Sequence, residues 1–398
     1  MRIGIDLQCL PTKARELTGI SNYAYLLSKY LLRLDTPRKF VFFLPEESSY
    51  TQEFQGRGAE IIFLPRKIFP FWTHHVTYVR IIQKAKLDIL HGPANTLPLF
   101  YEGRSVLTIH DLAIYKHPEW FSGGQWFSTK YLVPRSIEQA DKIIVPSEAT
   151  KRDLMELFHV SGFRVNVIPH GVEERFFRSD ERLATSDSEE TNRSASGGPI
   201  ANRYILFVGT LEPRKNLVRL VQAYASLPQD ILDRYDLVIA GQKGWKYREA
   251  FQAISNLRSA IRNRIKMPGY VSDEELPSLM QNASLFVYPS LYEGFGLPVL
   301  EAMAAGVPVV TSHQVARNIE YRISNIGRNS TFHISHSSQK ARFIISVNPY
   351  SVSEISQAIQ TLIRDNALAS QISAAGIQRA GQFTWANTAA ETLQVYLA

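Results

Sequence analysis

The sequence has little of several features that would by themselves fix a compartment or a class of function. It contains one cysteine, Cys9, in 398 residues, which excludes an internal disulfide and fits a reducing compartment. No apolar run reaches the ~20 residues that a membrane-spanning helix needs. No cluster of histidines, cysteines or carboxylates has metal-ligand spacing, so we expect no metal cofactor. There is no basic recognition helix or aromatic RNA-binding string, so we expect no nucleic-acid partner.

What the sequence does contain describes a globular protein of more than one domain. Hydrophobic residues make up 45 % of the chain and charged residues 20 %, and 398 residues are too many for one ordinary core. The chain starts with the strand-like run Met1-Arg-Ile-Gly-Ile-Asp6 rather than a secretory signal. We therefore expect a cytoplasmic protein.

The net charge of +7 is unevenly distributed. Residues 1–172 carry 21 Lys and Arg against 16 Asp and Glu, a balance of +5. Within this half, the stretch Arg66-Lys-Ile-Phe-Pro-Phe-Trp-Thr-His-His75 mixes cations with aromatic side chains. Such a stretch fits a peripheral contact with a membrane surface, and it equally fits a buried loop with a basic edge.

Alternating β-branched runs and amphipathic stretches predict parallel sheets wrapped by helices. The strands predicted in the first half are 2–8, 40–44, 60–64, 88–91, 105–110, 142–146 and 165–168. The helices predicted there are 19–34, 73–86, 126–139 and 147–158, with Ser147 as an N-cap. In the second half we predict strands at 204–208, 235–240, 285–288 and 307–311. The helices predicted there are 216–226, 247–257, 273–282, 352–364 and 366–380.

Residues 179–203 contain almost nothing to bury, which predicts a flexible linker or loop. We therefore place one Rossmann-like domain at 1–178 and a second at 204–380. The last segment, 381–398, reads as a separate helix.

One string in the second half is more informative about function than the rest of the chain: Tyr288-Pro-Ser-Leu-Tyr-Glu-Gly-Phe-Gly-Leu-Pro-Val-Leu-Glu-Ala-Met-Ala-Ala-Gly-Val-Pro-Val-Val310. It places Glu293 on a Gly-rich turn and Glu301 inside the following helix, about two turns from its start. Ligands collect where a strand's carboxyl end meets a helix N-terminus, and Gly294 and Gly296 allow close approach. Two such carboxylates suit the hydroxyls of a sugar joined to a nucleoside.

A second string, Phe207-Val-Gly-Thr-Leu-Glu-Pro-Arg-Lys-Asn216, supplies positive charge between a strand and a helix. Gly209 gives access to the backbone, and Arg214 and Lys215 lie near the helix N-terminus, where the dipole favours anions. A leaving diphosphate needs fixed positive charge, which a cationic pair supplies without Mg²⁺. The alternative is a pair of solvated surface cations.

In the first half, His110 and Asp111 lie at the carboxyl end of the strand Val106-Leu-Thr-Ile. A histidine at this place is either a hydrogen-bonded turn residue or part of a site. Asn95, in a loop that also follows a strand, is a candidate contact for an acceptor or donor sugar. Gly19 opens the first helix and is a weak signal by itself.

The string around Glu293 and Glu301 resembles the E-x7-E signature of retaining glycosyltransferases of the family-4 type. Five more stretches resemble the same family in its order: Thr18–Tyr23, Thr108–Leu112, Ile143–Glu148, Val167–Val172 and Phe207–Asn216. The resemblance implies the GT-B fold, an α/β architecture of two Rossmann-like doubly wound parallel-sheet domains facing a cleft. It also implies that the terminal helix crosses back to the first domain.

The resemblance implies that this chain transfers a hexose from a nucleotide sugar. Glu301 would then bind the ribose, Arg214 and Lys215 the diphosphate, and Glu293 the sugar. His110 would border the reacting sugar. The candidate catalytic residues are His110, Asp111 and Glu293, and neither His110 nor Asp111 is expected to be a nucleophile. The remaining candidate donor-binding residues are Gly19, Gly209, Gly294, Phe295, Gly296 and Leu297.

The sequences of two motifs look most like those of bacterial mannosyl- or rhamnosyltransferases of surface-polysaccharide assembly. These motifs are Gly-Thr-Leu-Glu-Pro-Arg-Lys-Asn and Thr-Ile-His-Asp-Leu. GDP-mannose is therefore the first expected donor, with rhamnose or glucose donors next. The expected acceptor is a glycan presented on a lipid at the inner face of the membrane. Two other classes fit parts of the sequence: a nucleotide-sugar-binding protein without transfer, and a GT-B epimerase, which lacks this E-x7-E spacing.

The resemblance fails at residues 313–346, where the chain is longer than the family and rich in Ser, Asn, Arg and His. One interpretation is an inserted loop. The other is a stretch translated in a shifted reading frame, which would leave the second sheet without a connecting helix and the chain impaired as an enzyme. A family-like Pro-Glu turn in another frame of the gene would indicate the shift.

Overall fold

A computed structural model describes residues 1–11, 19–64, 76–124, 126–177, 192–193, 199–200, 203–320 and 343–398. The chain divides into two compact units. Unit 1 comprises Met1–Pro118, Gly123–Gly171 and Phe383–Ala398. Unit 2 comprises Glu119–Ser122 and Val172–Gln382.

The described strands are β1 (Arg2–Asp6), β2 (Lys39–Leu44), β3 (Glu60–Phe63), β4 (Ile89–Gly92), β5 (Ser105–Thr108), β6 (Lys142–Val145), β7 (Val165–Val167), β8 (Asn192–Arg193), β9 (Pro199–Ile200), β10 (Arg203–Val208), β11 (Tyr235–Ala240), β12 (Ile265–Gly269), β13 (Leu285–Tyr288), β14 (Val309–Ser312) and β15 (Ile345–Val347). In unit 1 the sheet order is β3-β2-β1-β4-β5-β6-β7, and in unit 2 it is β12-β11-β10-β13-β14-β15. All neighbouring strands in both sheets are parallel. Each order is that of a doubly wound Rossmann-like sheet, in which ligands bind at the carboxyl ends of the strands.

The described α-helices are α1 (Gly19–Leu31), α2 (Ser49–Gly56), α3 (Tyr78–Lys84), α4 (Ala113–Lys116), α5 (Val133–Gln139), α6 (Glu148–Phe158), α7 (Leu217–Ala225), α8 (Gln229–Leu232), α9 (Arg248–Ser255), α10 (Ser259–Arg262), α11 (Leu276–Gln281), α12 (Leu297–Ala304), α13 (His313–Ile319), α14 (Val352–Arg364), α15 (Asn366–Ala380) and α16 (Trp385–Leu397). A π-helical turn at Ser128–Leu132 precedes α5. Ser147 caps α6 as predicted, with its side chain accepting a hydrogen bond from the Thr150 amide.

The apolar runs of the strands are explained by burial on both faces of each sheet. Along β2, Phe40 and Phe42 belong to one hydrophobic core of unit 1 and Val41 and Phe43 to the other. A strand covered by helices on both sides has no solvent face, so it reads as a continuous hydrophobic run rather than an alternating one. This burial is why the parallel sheets could be predicted from the sequence.

The C-terminal helix α16 belongs to unit 1. Trp385 and Tyr396 are buried in the same core as Tyr23 of α1, and Thr388 Oγ1 donates a hydrogen bond to Pro169 O at 2.8 Å. The chain passes so close at Gly171 that a Cβ there would lie 2.2 Å from the Trp385 amide nitrogen. The terminal helix is therefore packed in the unit that contains the N-terminus.

The observed division between the units differs from the predicted domain ends at 178 and 204. Residues 172–177 pack in unit 2, since Phe176 is buried and the Gln281 side chain donates to the carbonyls of Phe176 and Phe177. The boundary predicted from the sequence marks a change of composition. In the structure, Gly123–Gly171 pack in unit 1 and Val172–Gln382 pack in unit 2. Of the predicted linker 179–203, the structure describes only the antiparallel pair β8 and β9 and the first residue of β10.

Several expectations concern residues outside the described ranges. The stretch 66–75 lies there, as do the first residues of the predicted helix 73–86. Residues 321–342 of the segment 313–346, where the family resemblance fails, also lie there. The start of that segment is described, and it forms α13 immediately after β14. The connection between β14 and β15 therefore begins with a helix, and the shifted-frame interpretation stays a prediction. Across the described ranges, no helix has both the length and the apolarity needed to cross a bilayer.

Candidate active site

The charged candidate residues of unit 2 meet at the carboxyl ends of two adjacent strands. The turn Pro213–Lys215 follows β10, and Glu293 lies in the loop between β13 and α12. Because β10 and β13 are hydrogen-bonded neighbours, both loops emerge at the same edge of the sheet. The fold thus brings together two motifs that are about 80 residues apart in the sequence.

Glu293 is the centre of this group, and its carboxylate is almost fully hydrogen-bonded. Its Oε1 accepts from Lys215 Nζ at 2.6 Å and from Ser290 Oγ at 2.7 Å. The Tyr288 hydroxyl donates to the same oxygen at 3.0 Å. Oε2 pairs with Nη1 of Arg214 at 2.9 Å. The residue is only 7 % exposed, so these donors replace the water that an exposed carboxylate would bind.

The cations are held as firmly as the carboxylate. The side chains of Arg214 and Lys215 are 18 % and 8 % exposed. Arg214 also pairs through Nε with the buried carboxylate of Glu212, and Lys215 Nζ donates to the Tyr288 hydroxyl at 2.5 Å. The alternative of two solvated surface cations is therefore wrong.

The electrostatics keep this group charged. Burial by itself would raise the pKa of Glu293, but the charges of Arg214 and Lys215, with hydrogen bonds from Lys215 and Ser290, lower it to about 2. Burial and the neighbouring Arg214 lower the pKa of Lys215, while the carboxylates of Glu293 and Glu212 oppose that shift. The result is a pair of cations in fixed positions, as binding an anion requires.

The other carboxylate of the motif has different surroundings. Glu301 is the fifth residue of α12, so it lies one turn into the helix rather than the predicted two. Burial, together with the nearby carboxylate of Glu173, raises its pKa to about 8, with Arg175 opposing and Asp273 adding to the shift. Glu301 is therefore largely protonated near neutral pH. Its role toward a ribose stays a prediction.

Unit 1 contributes a second group, built from buried neutral rings. His91, His110 and His170 are 0 %, 8 % and 9 % exposed. Tyr23 lies between two of them, with ring centroids 4.7 Å from His110 and 4.8 Å from His170. Trp385 of α16 stacks on His170 at 6.1 Å.

Burial keeps these histidines uncharged. With His110 nearby, it lowers the pKa of His91 to about 3. It also lowers the pKa of His110 and, with His110 again contributing, brings that of His170 well below its usual range. This group therefore presents hydrogen-bonding rings without charge.

The contacts of His110 determine which ring nitrogen carries its proton. Nε2 lies 2.7 Å from the carbonyl oxygen of Pro93, and a carbonyl only accepts, so Nε2 is the protonated nitrogen. Nδ1 of the neutral ring is then an acceptor, suited to a hydroxyl donor. Asn95, in a left-handed conformation with φ of 65°, accepts from the His110 amide at 2.9 Å. Asp111 accepts from the Ala113 amide at 3.1 Å and so helps to begin α4.

The remaining candidates hold backbone positions. Gly19 is the first residue of α1, and a Cβ there would meet nothing within 4 Å. Gly209 follows β10 with φ of 155°. Gly294 and Phe295 lie in the loop after Glu293, with Phe295 buried, and Gly296 and Leu297 begin α12. Their proposed contacts with a donor stay predictions.

Sequence reasoning missed several residues of these groups. Glu212 and Ser290 lay inside strings already singled out, and their polar side chains next to a motif were an available signal. His170 lay in the stretch 167–172. Gln314 and Asn318, which contact the backbone of Glu293, lie in the segment that resembles no family pattern. Nothing in the sequence indicated their partners.

Among the residues that the structure describes, no group of three or more histidines, cysteines or carboxylates could hold a metal ion. The expectation that the protein needs no metal stays a prediction.

Comparison with known proteins decides the family. The family model for glycosyltransferase family 4 matches residues 17–176, and that for glycosyl transferases group 1 matches residues 188–379. The O-antigen chain mannosyltransferase B of Escherichia coli is 30 % identical over 400 residues, covering 96 % of each chain. The chain belongs to the family-4, group-1 glycosyltransferases. The resemblance inferred from its motifs is thereby confirmed, as is its assignment as an enzyme.

Other relatives of this glycosyltransferase are more distant. The serotype-specific mannosyltransferase WbdA of Escherichia coli is 28 % identical over 298 residues, covering 75 % of this chain and 33 % of its own. Among solved structures, Anabaena Alr3699/HepE in complex with UDP and glucose has a TM-score of 0.70 at 18 % identity, with 99 % of both chains covered. WaaG, a glycosyltransferase involved in lipopolysaccharide biosynthesis, has a TM-score of 0.65 at 14 % identity over 99 % of both chains. These structures share the GT-B fold of two Rossmann-like domains, as predicted.

Proposed function

We propose that this glycosyltransferase is a retaining mannosyltransferase that uses GDP-mannose and extends a surface polysaccharide. The observation that carries the proposal is the buried group in which Glu293 holds Arg214 and Lys215 at the carboxyl end of the unit 2 sheet. The mannosyltransferase relative that matches 96 % of the chain supports mannose as the sugar. The UDP complexes of the structural neighbours bear on the fold alone.

In the proposed reaction, the bond between the sugar C1 and the diphosphate oxygen breaks, and an acceptor hydroxyl oxygen bonds to C1 on the same face. The acceptor proton passes to the departing phosphate oxygen, so no enzymic base is required. Arg214 and Lys215 stabilise the negative charge that develops on the diphosphate. Their positions are fixed before the reaction begins, which is the condition under which such charges are most effective.

Unit 1 has the complementary role in this proposal. His110, neutral and with Nδ1 as an acceptor, accepts a hydroxyl of the reacting sugar. A protonated histidine would attract an anion rather than the proton of a hydroxyl group. Asn95 fixes the His110 backbone, and we assign both residues to binding and orientation.

The proposed acceptor is a glycan on a lipid, reached by peripheral contact with the inner face of the membrane. The +5 balance of residues 1–172 supports attraction to an anionic surface. In unit 1, Trp126 and Tyr131 are 59 % and 46 % exposed, and the Lys130 ammonium lies over both rings. Exposed aromatic rings beside a lysine suit a lipid–water interface.

Sedimentation with vesicles tests this contact. The protein should sediment with anionic phosphatidylglycerol vesicles at low salt, stay in the supernatant with neutral phosphatidylcholine vesicles, and be released by high salt. Equal recovery in the supernatant under all these conditions would exclude the membrane contact and favour a soluble acceptor.

A donor panel tests the central reaction. Purified protein is incubated with GDP-mannose, dTDP-rhamnose or UDP-glucose, and sugar release or transfer is measured, with the product anomer assigned by NMR. We expect turnover with GDP-mannose and an α-linked product that keeps the donor configuration. A β-linked product would overturn retention. Binding without any turnover would identify a nucleotide-sugar-binding protein instead.

Thermal stabilisation by free nucleotides tests the base independently. A ligand at 100 times its dissociation constant adds about 2.7 kcal/mol to the free energy of unfolding. GDP should therefore stabilise the protein more than UDP or dTDP at equal concentration. Stabilisation by UDP alone would replace the mannose donor with a UDP sugar.

A further inference from the structure

Helix α13 begins at His313, the first residue of the segment that departs from the family pattern. Its N-terminus is capped by Ser312, whose side chain accepts from the Val315 amide. Val315, Ala316 and Ile319 are buried, whereas His313 and Arg317 are exposed. An amphipathic helix with a cap and a continuous buried face is well matched to the sheet beside it.

The polar residues Gln314 and Asn318 of this helix contact the backbone of one residue of the site, Glu293. The side-chain amide of Gln314 accepts from the Glu293 backbone N–H at 3.0 Å and donates to the Glu293 carbonyl at 2.8 Å. Asn318, one turn later, donates to the same carbonyl at 3.0 Å. Residues four apart lie on the same face of a helix, so this face of α13 clamps both backbone polar groups of Glu293.

The contact continues along the loop to Gly296. Gly296 has φ of 111°, and a Cβ there would lie 2.6 Å from Cγ1 of Val315 and 3.8 Å from Cδ1 of Ile319. Glycine is therefore required by the backbone conformation and also by the closeness of α13. The loop Glu293–Gly296 is fixed at both ends by one helix.

The far end of α13 is held by a residue outside the departing segment. Arg379 of α15 donates from Nε and Nη2 to the carbonyl of Ile319, at 3.0 and 2.6 Å. A cation at a helix C-terminus satisfies the unpaired carbonyls there and complements the helix dipole. Helix α13, which lies inside the segment 313–346, is therefore hydrogen-bonded to Glu293 and Arg379, which both lie outside that segment.

We propose that Gln314 and Asn318 are positioning residues for the donor-sugar loop Glu293–Gly296, and that α13 is a working part of the active site. This inference rests on the proposed role of that loop toward the sugar. The loop contains Gly294 and Gly296, and glycine leaves a backbone free to adopt many conformations. Hydrogen bonds to the backbone N–H and C=O of Glu293 therefore set where its carboxylate and the following amides point.

The test compares Gln314→Leu with wild type in the full-length protein. Leucine has a similar volume but neither hydrogen bond. We expect kcat for mannosyl transfer to fall tenfold or more. The dissociation constant of GDP-mannose should rise by a larger factor than that of GDP, because in this proposal the loop contacts the sugar directly and the diphosphate only through Arg214 and Lys215. Loss of packing alone would weaken both ligands together.

Two further variants sharpen the test. Arg317→Ala changes an exposed residue of the same helix and should leave kcat and both dissociation constants unchanged. Gln314→Leu/Asn318→Ala should fall by less than the product of the single effects, since both side chains donate to one carbonyl. If Gln314→Leu does not fold, Gln314→Asn, whose shorter amide falls out of reach of Glu293, takes its place with the same expected result.

Wild-type kinetics in Gln314→Leu and Gln314→Asn, or an equal loss of affinity for GDP and GDP-mannose, would overturn the positioning role. Glu293→Gln separates this outcome from failure of the proposed function. If Glu293→Gln is impaired while the Gln314 variants are normal, only this inference fails. If Glu293→Gln transfers mannose at the wild-type rate, the role proposed for the loop fails as well.

Discussion

The candidate residues of the two units are buried to a similar degree but differ in charge. In unit 2, Glu293 is 7 % exposed and ionised, with its pKa lowered to about 2 by the cations that surround it. In unit 1, His110 is 8 % exposed and neutral, because burial lowers its pKa by more than the Pro93 carbonyl and the Asp111 carboxylate raise it. Both groups are thus deprotonated, but the carboxylate is left charged among its cations while the imidazole is left neutral.

This difference shows how the two units divide the proposed chemistry. A nucleoside diphosphate is an anion and requires cations held in place, which only a network with its own carboxylates can keep buried. Sugar hydroxyls are neutral, and in this proposal uncharged histidine rings and side-chain amides bind them. We therefore expect different effects from removing the cations of unit 2 and from removing a neutral ring of unit 1.

The largest effect is expected from removing the cations of unit 2. Arg214→Ala/Lys215→Ala should lower kcat for transfer by about 10³-fold or more, corresponding to several kcal/mol of transition-state stabilisation. Steady-state kinetics measure the change, and Lys266→Ala, an exposed lysine in the same unit, is the matched control. Rates within threefold of wild type would remove these cations from the reaction.

A smaller effect is expected from the neutral group. His110→Ala removes one hydrogen-bond acceptor and should lower kcat/KM by about 10- to 100-fold, the range of one or two lost hydrogen bonds to the sugar. GDP affinity should not change, since this group does not bind the diphosphate. His159→Asn is the control, because His159 is exposed and its left-handed conformation, with φ of 52°, is one that asparagine tolerates. A parallel loss of GDP affinity in His110→Ala would contradict the division between the units.

The third prediction compares the two carboxylates of one motif through pH. The pKa of Glu301 is raised from 4.5 to about 8, so folding favours its protonated form, and its stabilising contribution is lost as pH rises from 4.5 to 8. The pKa of Glu293 is lowered to about 2, so its contribution is present above pH 4.5 and is lost as pH falls. Glu301→Gln should therefore reduce the decline in thermal stability between pH 5 and about 8.5.

Thermal unfolding at several pH values measures this effect as the difference between variant and wild type. The expected change is the smallest of the three, since Glu301 is partly exposed and water screens its charge. Glu249→Gln, an exposed carboxylate of the same unit, should give a curve parallel to wild type. Parallel curves for Glu301→Gln as well would show that Glu301 is ionised in the folded protein.

Strands buried on both faces, such as β2 and β11, were predicted because double burial leaves an uninterrupted apolar run. The pair β8 and β9 was missed, as were β12 and β15, which lie at the two edges of the unit 2 sheet. Strand β12 is only partly buried and contains Pro268. An edge strand has an unpaired side and tolerates proline. The sequence of β12 therefore has neither a continuous hydrophobic run nor a regular alternation of apolar and polar residues. Helix α2 was missed for a related reason, since its residues are mostly polar.

At the site, the sequence was sufficient to name Glu293, Arg214 and Lys215, since charged residues beside glycine turns at strand ends are a strong local signal. It did not indicate that these three side chains pair with one another, because the pairing depends on β10 and β13 being neighbours. The raised pKa of Glu301 likewise depends on Glu173 and Asp273, which are distant in sequence. Local pattern predicts which residues matter, while their protonation follows from packing.

The most direct test of the account is the contribution of the diphosphate to binding. Calorimetry with GDP and with guanosine, on wild type and on Arg214→Ala/Lys215→Ala, separates the phosphates from the base. If the cationic pair holds the diphosphate, the double variant should bind GDP at least 100-fold more weakly, about 2.7 kcal/mol, and bind guanosine as wild type does. Unchanged GDP affinity, or an equal loss for GDP and guanosine, would contradict the assignment of this group as the diphosphate site.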